Sequence, residues 1–150
     1  MLNKRKVLLV CSPYYKNITD NLIEGASNIL TSKSIDFNIL NVPGALEIAP
    51  AIKLILDKSS KKTLFDGFVA LGCVIKGETY HFQIVANESA RALSDLSINY
   101  SIPIGNGILT VSNKDQAIKR SDPFQSNKGA DAALACLSLI NIKNSNNYER

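Results

Sequence analysis

The chain has 150 residues, 45% of them hydrophobic and 20% charged, with a formal net charge of +4. These values predict one globular domain over residues 1–150, with a flexible tail over about 144–150, and they exclude an extensively disordered chain. The modest positive charge favours solvated faces or attraction for anionic small molecules over a nucleic-acid-binding surface. The longest apolar stretch, residues 132–142, is too short to span a bilayer, so no membrane partner is expected.

Short apolar runs alternate with segments of helical periodicity along the chain. The runs predict buried strands at residues 6–10, 36–42, 66–72 and 102–110. Helical spacing predicts a helix over residues 18–30, capped by Asn17 or Thr19, and four more at 45–56, 82–96, 114–120 and 128–142. Pro50 is expected near the first turn of its helix or at a kink. This alternation predicts a flavodoxin-like three-layer α/β/α sandwich with a mainly parallel four-stranded sheet.

Cys11, Cys73 and Cys136 are odd in number, far apart and without C-x-x-C spacing. This pattern predicts reduced, mostly buried thiols in a cytoplasmic protein. The apolar run near the N-terminus is too short for a signal peptide, which favours the same location. A single histidine excludes a multi-histidine metal site within one chain, and no metal is expected.

Ligands of open parallel sheets bind beyond the carboxyl ends of the strands. Glycine, proline and polar residues gather at those ends here, in the segments 12–14, 43–45, 72–81 and 105–107. We therefore expect the site at this edge of the sheet.

The segment KGETYH, residues 76–81, carries the only histidine, His81, at the point where a glycine loop runs into a helix. Backbone N–H groups at a helix start suit a phosphate or another anion, and a histidine there is placed for proton transfer. These residues alone leave open a plain turn with an exposed histidine.

Several other residues have both a functional and a structural interpretation. Glu47 could accept hydrogen bonds from a polyhydroxylated ligand or complement a helix dipole. The rings of Tyr14 and Tyr15 could stack on a heterocycle or pack at the sheet edge. The GNG segment, residues 105–107, lacks the third glycine of a dinucleotide fingerprint and predicts a tight turn or bulge, where a ligand or neighbouring backbone comes close.

Arg120 is predicted at a helix end and Lys128 at the start of the next helix. A lysine at a helix N-terminus opposes the helix dipole. A bound anion would explain this placement better than a structural role alone.

Four segments in order closely resemble the 6,7-dimethyl-8-ribityllumazine synthase family: VPGALEIAPAIK, GCVIKGETYHFQIVANESARAL, PIGNGILTV and SNKGADAAL. The resemblance extends from Val7 to about Ile142. It implies a transferase of riboflavin biosynthesis that needs no cofactor. The enzyme condenses 5-amino-6-(D-ribitylamino)uracil with 3,4-dihydroxy-2-butanone 4-phosphate and releases phosphate and water.

The resemblance also implies roles for individual residues, with His81 as the proton-transfer group. The other implied residues bind the pyrimidine and its ribityl chain (Tyr14, Ala45, Leu46, Glu47, Cys73, Val74, Ile75, Asn106) or the phosphate-bearing substrate (Gly77, Glu78, Thr79, Arg120, Lys128). Two departures stand out. Asn106 replaces an apolar residue that is common in the family, and SPYYKN replaces an R-F-N-type stretch, so the choice of Tyr14 over Tyr15 rests on alignment.

Members of this family form pentamers, some of which assemble into 60-subunit shells, with active sites between adjacent subunits. The resemblance therefore implies that Asn106, Arg120 and Lys128 act on a neighbour's His81. The connection over residues 121–127 favours a pentamer, and an association with riboflavin synthase stays open. The alternative functions are a non-catalytic, shell-forming homologue that binds flavin or lumazine, and a nucleic-acid-binding module, which only the net charge would support.

Overall fold

Four parallel strands form the centre of the computed structural model, which describes residues 4–58 and 64–146. The strands lie in the order β2-β1-β3-β4, and every neighbouring pair is parallel. Their bounds are Lys6–Cys11 for β1, Asp36–Asn41 for β2, Gly67–Ile75 for β3 and Ile104–Val111 for β4. The predicted four-stranded, parallel sheet is confirmed.

The helices connect the strands and continue after β4. They are α1 (Lys16–Ser32), α2 (Ile48–Lys58), α3 (His81–Tyr100), α4 (Lys114–Ser121) and α5 (Lys128–Asn144). A 3-10 turn over Ala45–Glu47 replaces the first residues of the helix predicted at 45–56. Pro50 lies in the first turn of α2, where its missing N–H costs no helical hydrogen bond, as predicted.

Helices cover both faces of the sheet. Val7, Leu9 and Cys11 of β1 pack in a core cluster that includes residues of α1, α4 and α5. Leu8 and Val10, the alternate residues, pack in a second cluster with residues of α2 and α3. A central strand that is buried on both faces reads as a continuous apolar run. The α/β/α three-layer architecture is confirmed.

The predicted cap of the first helix and the predicted end of the third strand were wrong. Tyr15, without a capping side-chain bond, precedes α1, and Asn17 and Thr19 lie inside the helix. Strand β3 continues three residues beyond the predicted end at residue 72, because β4 pairs with it as far as Ile75.

The GNG segment lies near the start of β4, not at the carboxyl end of a strand, and it forms neither a turn nor a bulge, so both predictions for it were wrong. The expectation of a close neighbouring backbone is correct. A Cβ added to Gly105 would lie 1.9 Å from the carbonyl oxygen of Ala132 in α5. Glycine at this position therefore allows α5 to lie directly on the sheet.

Cys11, Cys73 and Cys136 are free and buried, as predicted. Burial raises the pKa of the Cys11 and Cys136 thiols to about 12 and that of Cys73 to about 11. Residues 147–150 of the predicted flexible tail lie outside the described residues. Among the described helices, none is both long and apolar enough to cross a membrane.

Candidate active site

A cavity of about 430 Å³ lies at the carboxyl ends of β1, β2 and β3. We call it the main cavity, and its lining residues are Ser12, Tyr14, Tyr15, Pro43, Gly44, Ala45, Leu46, Glu47, Cys73, Val74, Ile75, Gly77, Thr79, His81, Phe82 and Val85. Ten of the fourteen site residues that the family resemblance implies meet here. The location agrees with the general rule for ligands of open parallel sheets.

His81 is the first residue of α3 and lines the main cavity. The backbone N–H groups of residues 77–82 make no hydrogen bond to any described residue; Lys76 and Gln83, on either side, both donate theirs. Such a row of free donors at the positive end of a helix dipole favours an anion. The imidazole therefore lies beside a surface suited to phosphate.

The end of β3 offers main-chain groups to the same cavity. Ser12 N donates to Leu71 O (2.9 Å), which is the last hydrogen bond between β1 and β3. The backbone N–H and C=O groups of successive strand residues point to opposite neighbouring strands. The groups of Cys73 and Ile75, like those of Leu71, therefore point towards the β1 side, where β1 has already ended. In the described chain they have no partner there. Their N–H and C=O groups can bind a planar ligand edge that carries both donors and acceptors.

Glu47 ends the 3-10 turn before α2 and is exposed. A Cβ on Gly44 would lie 3.0 Å from its carboxylate oxygen, so glycine leaves room for the carboxylate above the backbone. Glu47 forms no ion pair with any described residue, and its oxygens can accept hydrogen bonds from a ligand. Its position before α2 also suits the helix dipole, so both interpretations stay compatible with the geometry.

Tyr14 and Tyr15 form an edge-to-face pair with ring centroids 5.0 Å apart. Tyr14 is 76% exposed, whereas Tyr15 is partly buried and packs against the core cluster beneath α1 and α5. Burial, followed by the neighbouring Tyr14 and Cys73, raises the pKa of the Tyr15 hydroxyl. Tyr14 therefore offers the more accessible ring to a flat ligand.

Arg120 and Lys128, the two cations that the resemblance implies at the site, do not line the main cavity. A second cavity of about 390 Å³, here called the cationic groove, is lined by Asn106, Gly107, Ile108, Leu109, Thr110, Arg120, Lys128, Asp131, Ala132 and Ala135. It shares no lining residue with the main cavity. One copy of the chain therefore does not bring Arg120 and Lys128 into the cavity that contains His81.

The polar side chains of the groove differ in the hydrogen bonds and ion pairs that they form within the chain. Arg120 is exposed and forms no hydrogen bond or ion pair with a described residue. Lys128 Nζ lies 3.2 Å from a carboxylate oxygen of Asp131, which gives this lysine a structural partner that the sequence reasoning did not identify. Asn106 Oδ1 accepts a hydrogen bond from Ile108 N (2.9 Å), which orients the amide and leaves both N–H donors of its NH2 group free for a ligand.

Glu78 lines neither cavity and lies exposed in the turn between Gly77 and Thr79. Six lining residues of the main cavity are not among the predicted site residues: Ser12, Tyr15, Pro43, Gly44, Phe82 and Val85. Val85 follows His81 by one helical turn, a spacing that places both on one face of α3 and could have indicated it. The described residues contain no group of three or more His, Cys, Asp or Glu placed to bind one metal ion.

The family model of 6,7-dimethyl-8-ribityllumazine synthase matches residues 4–144. The chain belongs to this family. A relative of that name from Agrobacterium fabrum is 48% identical over 143 residues, which cover 95% of this chain and 97% of the relative. One from Bartonella henselae is 51% identical over 93% of this chain and 89% of its own length. One from Zymomonas mobilis is 48% identical over 92% of this chain and 96% of its own length.

Proposed function

We propose that this chain is a lumazine synthase of riboflavin biosynthesis. It condenses 5-amino-6-(D-ribitylamino)uracil with 3,4-dihydroxy-2-butanone 4-phosphate to 6,7-dimethyl-8-ribityllumazine, and it needs no cofactor. The chain belongs to this family, and one observation carries the proposal. The imidazole of His81, the free backbone N–H groups at the start of α3 and the unpaired carboxylate of Glu47 all line the main cavity.

The phosphate-bearing substrate binds to the turn of Gly77, Glu78 and Thr79 at the start of α3. The free N–H groups of residues 77–82 support this assignment, since they can donate several hydrogen bonds to phosphate oxygens. Arg120 and Lys128 of a neighbouring copy supply the positive charge. The free guanidinium of Arg120 supports that role, because a planar fork of donors matches phosphate geometry.

The pyrimidine stacks on Tyr14 and presents its uracil edge to the last residues of β3. Of these, Cys73 and Ile75 supply the main-chain donors and acceptors that β1 leaves unpaired, and Val74 lies between them. Ala45, Leu46 and Glu47 contact the ribityl chain, whose hydroxyls donate to the Glu47 carboxylate. The NH2 group of Asn106 from a neighbouring copy donates to a ring carbonyl.

His81 moves the protons. An amine of the uracil attacks the ketone, and loss of water gives an imine. Proton removal from the hydroxyl-bearing carbon then drives elimination of phosphate from the adjacent carbon and leaves an enol. Proton transfer to the terminal carbon converts the enol to a ketone, and attack of the second amine on this ketone closes the ring with loss of a second water. Each step transfers a proton between carbon, nitrogen and oxygen, and an imidazole is suited to both directions near neutral pH. Its place beside the phosphate-binding turn brings it next to the carbon that loses the leaving group.

The complete site requires neighbouring copies, and we propose a pentamer with shared sites. The separation of Arg120 and Lys128 from the His81 cavity supports this arrangement, since a heterologous ring brings two different surfaces of one chain together. The three free, buried thiols support a reducing, cytoplasmic location. Association with riboflavin synthase is a further expectation from the family.

The test is direct. Purified protein, mixed with both substrates and no cofactor, should form a product that absorbs in the lumazine band and releases one phosphate for each product. Absence of product from intact substrates would disprove the proposal, and binding of lumazine without turnover would identify a non-catalytic homologue instead.

His81→Ala should lower kcat by about 100-fold or more, because general acid–base groups contribute at least that much. Gln83→Ala is the matched control, since Gln83 is exposed on the same helix and does not line the main cavity. Equal rates for the two variants would remove His81 from the mechanism.

A further inference from the structure

Four polar side chains are buried in the described part of the chain: Ser12, Thr19, Ser89 and Ser121. The last three each donate a hydrogen bond to a backbone carbonyl, for example from Thr19 Oγ1 to Ser12 O at 2.9 Å. Ser12 differs. Its Oγ makes no hydrogen bond to any described residue, and the residue as a whole is only 3% exposed. In the described part of the chain, Asn127 Oδ1 is the fully buried side-chain oxygen without a partner, so Ser12 Oγ retains some contact with the space of the main cavity.

The backbone of Ser12 is held on both sides. Its N–H donates to Leu71 O (2.9 Å), and its carbonyl accepts from Thr19 Oγ1 (2.9 Å). These bonds fix the position of Cβ, so the hydroxyl can change direction only by rotation about one bond. A serine that serves a turn or a helix cap normally bonds a nearby backbone group through Oγ, and Ser12 does not.

Ser12 lines the main cavity where the core ends. Strand alternation places it on the same face as Leu8 and Val10, so it is the polar residue that follows these two buried apolar ones. Gly72 on β3 lies beside it: a Cβ there would be 3.4 Å from Ser12 Cβ and 3.9 Å from Ile48 Cδ1. The serine thus faces the space next to the Ala45–Glu47 turn, which Ile48 follows directly.

A hydroxyl with little access to solvent and no partner in the protein is available to a ligand or a water that enters the cavity and completes its hydrogen bonds. The two substrates differ in what they bring to this position. The phosphate-bearing substrate needs donors, which the N–H row at the start of α3 supplies. The ribitylaminouracil carries carbonyl, N–H and hydroxyl groups, which match a side chain that both donates and accepts.

We infer that Ser12 Oγ hydrogen-bonds the ribitylaminouracil and is a determinant of affinity for that substrate. The inference rests on the proposed function and adds a side-chain hydroxyl to the main-chain groups, the Tyr14 ring and the other side chains proposed for the pyrimidine half-site.

The test compares Ser12→Ala with the unsubstituted protein and with Ser89→Ala, a change of the same chemistry at an equally buried serine outside the cavity. Loss of one hydrogen bond should raise KM for the ribitylaminouracil about 3- to 10-fold in Ser12→Ala, with little change in KM for the phosphate substrate. The dissociation constant of the 5-nitro analogue, which lacks the attacking amine, should rise by the same factor in calorimetry. Ser89→Ala should leave both quantities unchanged.

The unpartnered hydroxyl also predicts that Ser12→Ala keeps the melting temperature of the parent, so the variant can be assayed folded. An unchanged KM and dissociation constant, or equal weakening of both substrates, would overturn the inference while the activity of the parent stands. A parent that forms no lumazine would overturn the proposed function, and the Ser12 contact with it.

Discussion

If neighbouring copies share each active site, the geometry predicts how much activity an oligomer of two different variants should recover. His81 lines the main cavity and Arg120 lines the cationic groove, and the two cavities have no residue in common. If each functional site combines the cavity of one copy with the groove of its neighbour, His81→Ala and Arg120→Ala damage different chains of the same site. Each variant alone should then be nearly inactive, whereas an oligomer that contains both should recover activity.

The recovered fraction can be calculated for a ring with head-to-tail contacts. In a random one-to-one mixture, half of the copies retain His81, and independently half of their neighbours retain Arg120. About one quarter of the sites should therefore be intact. A mixture of parent with the double variant, which carries both substitutions, should also retain about one quarter of the parent's activity, against about one half if each chain acted alone.

The assay uses two differently tagged variants produced in the same cells, with mixed oligomers isolated through both tags. Lumazine formation is followed by absorbance, with both substrates above their KM values. Mixed oligomers that are no more active than the single variants would refute shared sites. Retention of one half of the activity by the mixture of parent and double variant would refute them independently.

Three further predictions concern the cavity wall and the core. Tyr14→Leu should raise KM for the pyrimidine about 10-fold without a change in stability, because the exposed ring is free to stack on the substrate. Tyr15→Leu should instead lower the free energy of unfolding by about 1–2 kcal/mol, because the partly buried ring packs on the core. The reverse pattern would make Tyr15 the stacking residue. Gly105→Ala should cost about 1–3 kcal/mol in urea unfolding, since its Cβ would overlap a carbonyl oxygen of α5. Gly77→Ala, where a Cβ would meet nothing within 4 Å, is the control, and equal losses would contradict the packing explanation. Burial raises the pKa of the Cys136 thiol from 9.0 to about 12. Between pH 9.0 and about pH 12 the unfolded chain therefore loses a thiol proton that the folded chain keeps, so the free energy of unfolding falls as the pH rises. Cys136→Ala should make this fall shallower by about 1.4 kcal/mol per pH unit in denaturant titrations, and parallel slopes would show that the thiol does not contribute.

The layer architecture could be predicted because it depends on local periodicity. Strand β1 is buried on both faces, and its sequence is accordingly a continuous apolar run. The end of β3 could not be predicted in this way. Gly72 resembles a strand terminus, yet the strand continues to Ile75 because β4, some thirty residues later in the chain, supplies hydrogen bonds. Pairing of that kind has no local signal.

The same distinction applies to the site. The rule for parallel sheets correctly placed Tyr14, Glu47 and His81 around one cavity, since each follows a strand end. The rule makes no prediction for Arg120, which does not follow a strand end directly and lines the cationic groove. Ser12 lies in the segment 12–14 that the rule assigned to the site, but no role was predicted for it. What distinguishes it from other buried serines is the absence of a hydrogen-bond partner, which only coordinates reveal.

The position of β4 gives a physical reason for the division of the site. This strand is at the edge of the sheet, so its outward N–H and C=O groups have no strand beside them. Asn106 and Thr110 line the groove from this edge, and Arg120 and Lys128 join it from the helices that follow β4. The residues before β4 enclose the main cavity above the three other strands. On the proposed function, the chain therefore builds the cavity from its first strands and presents its last strand and the following helices to a neighbour. This order explains why Arg120 and Lys128, the cations proposed to bind the phosphate, come from segments late in the sequence.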